Sequence, residues 1–182
     1  MPWRRKEKAS EKLYGAIVAQ ARLPVFYQEF GVPDTLEGRY LVLSLNLFAV
    51  LYRLKREGAE ALVLSQEIAD RFKDDMETVL RELGVSDLRV PQKMRALAAS
   101  SAALLQAYER ALAAGEEALA KTIADALPLD ERAARAAGTH LAHYLRESVR
   151  SLEKEPYAAL HDGTLRFPVI SGGSEGLHEP RD

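Results

Sequence analysis

Between Tyr40 and Leu54 the chain reads YLVLSLNLFAVLYRL, and apart from its two tyrosines only Ser44, Asn46 and Arg53 carry polar side chains. A surface helix keeps one polar face, and this segment has almost none. Such a stretch suits a bilayer, the centre of a folded core, or a surface that meets an apolar partner. Length separates these. A membrane span takes ~20 apolar residues to cross ~30 Å of hydrocarbon. Leu41 to Tyr52 is twelve residues, and a helix of that length reaches only about 18 Å. Asn46 sits near its middle, and Arg39 and Arg53 bound it. A helix lying in a membrane interface would show a strong moment and a cationic face, and neither is present. The segment is therefore expected to be the central, buried helix of a bundle, with partial exposure to a partner as the alternative. In the bundle Asn46 must bond a neighbouring helix, because a buried amide without partners costs a few kcal/mol.

The rest of the chain reads as helices separated by Gly, Pro and Asp. A first helix is expected from about Ser10, as N-cap, to Arg22. LPVFYQEFG places Pro24 early in a short helix that ends at Gly31. Asp34, three residues before Glu37, has the spacing of a capping box for the central helix, which should stop at Gly58. From Ala59 to Leu83 the apolar residues Ile68, Phe72, Met76, Val79, Leu80 and Leu83 recur at helical spacing and form one stripe. Gly84 ends that helix, and Pro91 restarts the chain into an alanine-rich helix from Gln92 to Ala114. A shorter helix, Glu116 to Leu127, precedes Pro128, and Asp130 caps a last long helix through about Glu153. Strand signals are poor. The expected fold is all-α: a single-domain bundle of about six to seven helices with a partly extended C-terminal tail. Its parts are a basic extension (1–9), the helical domain (10–155), a segment packing back on the bundle (156–170) and a disordered Gly- and Ser-rich end (171–182).

Chemistry leaves little trace. The formal net charge of −2 does not favour DNA, and the absence of cysteine removes disulfides, thiolate metal sites and a cysteine nucleophile. It agrees with a cytoplasmic address. The basic start is followed by an apolar run broken at Gln20 and Arg22, with no small-residue cleavage pattern, so no export is expected. Arg4, Arg5, Lys6, Lys8 and Lys12 alternate with Glu7 and Glu11, which suits a solvated terminus or contact with anionic lipid or ribosomal RNA. No phosphate-binding loop or nucleophile elbow occurs. His140, His143 and Glu147 lie on successive helical turns and define a metal-binding or enzymatic alternative, though the spacing lacks a fourth ligand; ordinary polar surface is the plainer reading. Phe26, Tyr27 and Phe30 cluster in the short helix, either as core staples or as the edge of a partner-binding groove.

Two stretches carry a family resemblance: LYGAIVAQARLPVFYQEFGVPDTLEGRYLVLSLNLFAVLYRL and FKDDMETVLRELGVSDLRVPQKM. They resemble the ubiquinol–cytochrome c chaperone family over roughly residues 10–128, with Leu83, Ser86, Arg89 and Gln92 departing from its pattern. The resemblance implies a non-catalytic, cofactor-free and metal-free assembly factor for the cytochrome bc complex. Its client would be newly made cytochrome b, and the chain would be cytoplasmic or peripheral at the inner membrane. Mitochondrial relatives also act with a small partner protein and associate with ribosomes. The expected mechanism is reversible shielding of apolar client segments at about 20–30 cal/mol per Å2, less the ordering cost of association. The expected contact residues are Phe26, Tyr27 and Phe30 together with Phe72, Asp75, Met76, Glu82, Asp87, Lys93 and Met94. Of these, Asp75 and Glu82 should point away from the apolar stripe.

Overall fold

A computed structural model describes residues 8–170. Most of the basic extension and all of the end after residue 170 lie outside it. The described chain is all-α: α1 (Ala9–Ala21), α2 (Val25–Gln28), α3 (Leu36–Lys55), α4 (Leu62–Glu82), α5 (Val90–Ala114), α6 (Glu116–Ala126), α7 (Glu131–Lys154) and α8 (Tyr157–His161). A 3-10 turn, Gly58–Ala61, leads into α4. Six of these helices exceed ten residues, and no strand occurs among the described residues. After α8 the chain continues irregularly, with Leu165, Phe167 and Ile170 half-buried against the core.

The apolar run is α3, and it is the axis of the bundle. Helices α1, α4, α5 and α7 all pack on it, which is why it needs almost no polar face. From Leu45 to Val50 every residue is buried. Asn46, fully enclosed, donates from Nδ2 to the Val42 carbonyl at 2.9 Å, and its Oδ1 accepts from the Tyr144 hydroxyl of α7 at 2.5 Å. Tyr144 accepts in turn from Gln20 Nε2 of α1 at 3.1 Å, so one polar chain ties three helices together. Burial pushes the Tyr144 phenol up to about 12. Arg53 is also buried, at 7% exposure. Its guanidinium donates to the carbonyls of Leu152 and Glu155, each at 2.9 Å, and pairs with Glu57. The arginine that bounds the run in the sequence thus caps the C-terminus of α7, where terminal carbonyls lack intrahelical donors.

Two expected caps differ. Ser10 lies inside α1 and is buried, because Lys8 holds the N-cap conformation and the Glu11 side chain reaches back to the Lys8 amide at 3.0 Å. Thr35, not Asp34, caps α3: its extended backbone lets Oγ1 accept from the Gly38 amide at 3.2 Å. Asp34 instead accepts from Arg39 Nε at 2.6 Å, which holds its carboxyl below the usual range. The expected cap at Asp130 is present, with Oδ1 accepting from the Ala133 amide at 3.0 Å.

Gly38 is demanded by a close approach, since a Cβ there would stand 2.0 Å from the Pro33 carbonyl oxygen. Gly138 plays the same part between α6 and α7, where a Cβ would lie 2.6 Å from the Ala120 oxygen. Together with buried Ala134 and Ala137 it lets these two helices pack backbone to backbone.

Candidate functional site

The α4 stripe begins as core and ends without cover. Ile68 is fully buried and Phe72 nearly so, Met76, Val79 and Leu80 are half-buried, and Leu83 is 60% exposed. Hydrogen bonds set the geometry around it. Arg71 reaches Ser10 and Glu11, and the Tyr14 hydroxyl donates to Asp75 Oδ2 at 2.8 Å, so α1 and α4 run side by side and parallel. On the other side the hydroxyls of Tyr40 in α3 and Ser101 in α5 meet at 2.7 Å. Between these links the helices leave an open, mostly apolar groove of about 1220 Å³. Val18, Tyr27, Leu36, Leu43, Val79 and Leu97 are among its lining residues, and Leu36 at its mouth is 49% exposed. An exposed apolar surface of this kind marks a binding site more often than it marks bare solvent contact.

The structure divides the ten residues expected from the sequence. Tyr27, Asp75 and Met76 line the groove. Tyr27 is fixed there by donating to the Ala21 carbonyl at 2.8 Å, and burial raises its phenol above the ordinary tyrosine value. Asp75 does not turn away from the stripe as expected; it forms part of the rim because the Tyr14 hydroxyl draws it toward α1. Burial, then the hydrogen bond Tyr14 donates to Asp75 and that carboxylate's charge, push the Tyr14 phenol well up.

Phe26 is a core staple. It is fully enclosed, with its ring centroid 4.9 Å from that of Tyr144, so no partner reaches it in this conformation. Phe30 lies half-buried outside the groove, stacked on His140 at 5.3 Å. Phe72 and Met94 are 9% exposed and do not line the groove. Glu82, Asp87 and Lys93 are exposed outside it, and Asp87 pairs with Arg81. Val79, Leu80 and Leu83 lay on the stripe read from the sequence, and its length beyond Met76 was the signal for them. Nothing in the sequence marks Val18, Leu43 or Leu97 as groove rather than core.

The alternative metal constellation does not come together. His140 stacks on Phe30, and His143 lies 3.7 Å from Glu116 of α6, while Glu147 pairs with Arg150. No group of three or more His, Cys, Asp or Glu suited to a metal occurs among the described residues, and no helix there is long and apolar enough to cross a membrane.

Comparison with known proteins gives concordant matches. A family model described as ubiquinol-cytochrome C chaperone matches residues 28–167. The ubiquinol-cytochrome-c reductase complex assembly factor 1 of Xenopus laevis is 23% identical over 115 residues, 63% of this chain and 58% of that protein. Its Drosophila melanogaster counterpart is 26% identical over 121 residues, 64% of this chain and 47% of that protein. The chain thus spans about half the length of the curated relatives it matches. The crystal structure of the Cbp3 homolog from Brucella abortus is similar with a TM-score of 0.78 at 36% identity, covering 88% of this chain and 89% of that one.

Proposed function

The chain belongs to the ubiquinol-cytochrome C chaperone family, and from that premise we propose that it binds newly made cytochrome b and shields it until ubiquinol–cytochrome c reductase is assembled. The family is one of chaperones and assembly factors, so the chain acts by binding and not by catalysis. The observation that carries the reading is the groove beside α4. It is apolar, open and framed by exposed Leu36 and Leu83, as a surface must be to cover apolar client segments reversibly. Tyr27, Asp75 and Met76 are the contact residues kept from the sequence reading, and Leu36, Val79 and Leu83 join them. Rim aromatics and methionine give adaptable contact, which suits a client without its final fold.

The test is a strain lacking the gene, complemented by the chain or by a Leu36→Glu, Leu83→Glu variant. Both side chains are exposed, so the variant should keep its helical circular dichroism. The unaltered chain should restore cytochrome b accumulation and co-purify with it, and the variant should do neither. Normal accumulation of cytochrome b without the gene, or unchanged capture by the variant, would overturn the proposal.

A further inference from the structure

The walls of the groove restrict the shape of chain it accepts. Its lining comes mostly from α1, α2, α3, α4 and α5, whose interior backbone groups are already bonded within each helix. No strand edge borders it among the described residues, so an extended segment would find no ladder to join. The tyrosine hydroxyls nearby are engaged as well, Tyr14 with Asp75, Tyr27 with the Ala21 carbonyl and Tyr40 with Ser101. The groove offers a bound segment no backbone partners, and an α-helix, which bonds its own, leaves no unpaired group against the apolar wall. A helix with side chains is ~10–12 Å across and rises 5.4 Å per turn, or roughly 400–600 Å3 per turn. The groove, at about 1220 Å³, has room for one face of a short helix, the other face staying in solvent.

Charge adds a second restriction. Five ionisable side chains other than tyrosine line the groove: Arg22, Asp34, Glu37, Arg39 and Asp75. Asp34 and Arg39 neutralise each other. Asp75 accepts from a neutral phenol, and neither Glu37 nor Arg22 has an ion-pair partner among the described residues. With Asp34 and Arg39 paired, Glu37 and Asp75 against Arg22 leave the lining one net negative charge, which favours an occupant with cations beside its apolar face.

We propose that the groove takes a short α-helical segment of the client, apolar on one face and flanked by lysine or arginine. This rests on the client-binding reading and names the conformation and charge of what is bound. Lysine and arginine are enriched beside the cytoplasmic ends of membrane helices, so an uninserted helix end has this chemistry.

Fluorescence anisotropy on the full chain tests it with three labelled synthetic probes. One is a hydrocarbon-stapled leucine–alanine helix of about twelve residues with flanking lysines. The second has the same composition with prolines inserted and no staple, and the third is the stapled helix flanked by glutamates. The lysine-flanked helix should bind about tenfold or more tightly than the proline probe. It should exceed the glutamate-flanked helix by about two- to fivefold at low salt, a margin that closes toward 1 M salt. A Glu37→Gln, Asp75→Asn variant, whose new amide oxygen still accepts from the Tyr14 hydroxyl, should lose the lysine margin and keep the helix preference. Equal affinity for the helical and proline probes would overturn the proposal, as would a lysine margin that survives in the variant. Self-association in sedimentation velocity that excludes the stapled helix would make a second copy the occupant, and would also overturn it. Cytochrome b capture scored in parallel separates the two readings. Capture without helix preference overturns this inference alone, whereas helix preference without capture supports it and overturns the client assignment.

Discussion

Replacing Arg53 by methionine tests whether the central helix is held by what its one buried charge does. The arginine is 7% exposed and donates to two carbonyls at the end of α7, Leu152 and Glu155, each at 2.9 Å, besides pairing with Glu57. Each bond from a charged donor contributes about 1.5–3 kcal/mol, a gross loss of about 3–6 kcal/mol. Two effects reduce it. Methionine removes the cost of keeping a guanidinium from water while retaining most of the stem volume. The orphaned carbonyls also keep alternatives: Leu152 still accepts from the Glu155 amide at 3.2 Å, and half-exposed Glu155 can turn to water. The expected net destabilisation is about 1–3 kcal/mol. At an m value of about 2 kcal/mol/M, a loss of 2 kcal/mol lowers the urea midpoint by about 1 M with m unchanged. Urea titration followed by circular dichroism reads this directly. Arg53→Ala should cost more, about 3–5 kcal/mol, because a cavity is added to the lost bonds. A shift below about 0.5 kcal/mol for the methionine variant, or equal shifts for both, would refute the account of Arg53 as the cap of α7.

Two further outcomes follow from the geometry. Gly138→Ala gains about 1 kcal/mol of helix propensity, but its Cβ would stand 2.6 Å from the Ala120 carbonyl oxygen and 3.0 Å from the Ala124 Cβ. Thermal melting should show a net loss of about 1–2 kcal/mol, and a stabilised variant would contradict the backbone-to-backbone packing of α6 on α7. The buried tyrosines predict alkaline instability: burial pushes Tyr144 up to about 12 and raises Tyr14 and Tyr108 as well. Their unfolded value is about 10, so between pH 10 and 12 the unfolded chain has lost protons that the native chain still holds. Stability is then fully present below pH 10 and falls as pH rises, by about 2–3 kcal/mol from Tyr144 alone. Absorbance at 295 nm should show these three of the seven tyrosines titrating only with unfolding; free titration of all seven near pH 10 would refute it.

The helices were legible because the signals that make them are local. Gly58, Gly84 and Gly115 sit where helices end, each with positive φ, and Asp130 caps α7 where a carboxylate precedes an amphipathic run. Ser10 and Asp34, the caps expected from the sequence, each lie within two residues of the residue that does the work, a distance that spacing alone does not resolve. Asn46 demanded a partner on energetic grounds, but only the fold supplied Tyr144, ninety-eight positions away. The candidate site was less legible. Phe26 and Tyr27 are neighbours of similar character, yet one is sealed under Tyr144 and the other faces the groove.

What the sequence determined is the set of apolar faces and their lengths, since 3.6-residue periodicity and capping are properties of a short stretch of chain. It made the apolar run of α3 too short to cross a bilayer and gave that helix almost no polar face. Which apolar faces find cover was decided only in the tertiary structure. The stripe from Ile68 to Leu83 is one continuous signal in α4, but its cover must come from helices placed by distant contacts. The Tyr14–Asp75 and Tyr40–Ser101 links each join residues sixty-one apart and hold those helices around an opening. Burial is a relation between elements, so the same periodic stripe gives core at one end of α4 and a binding surface at the other.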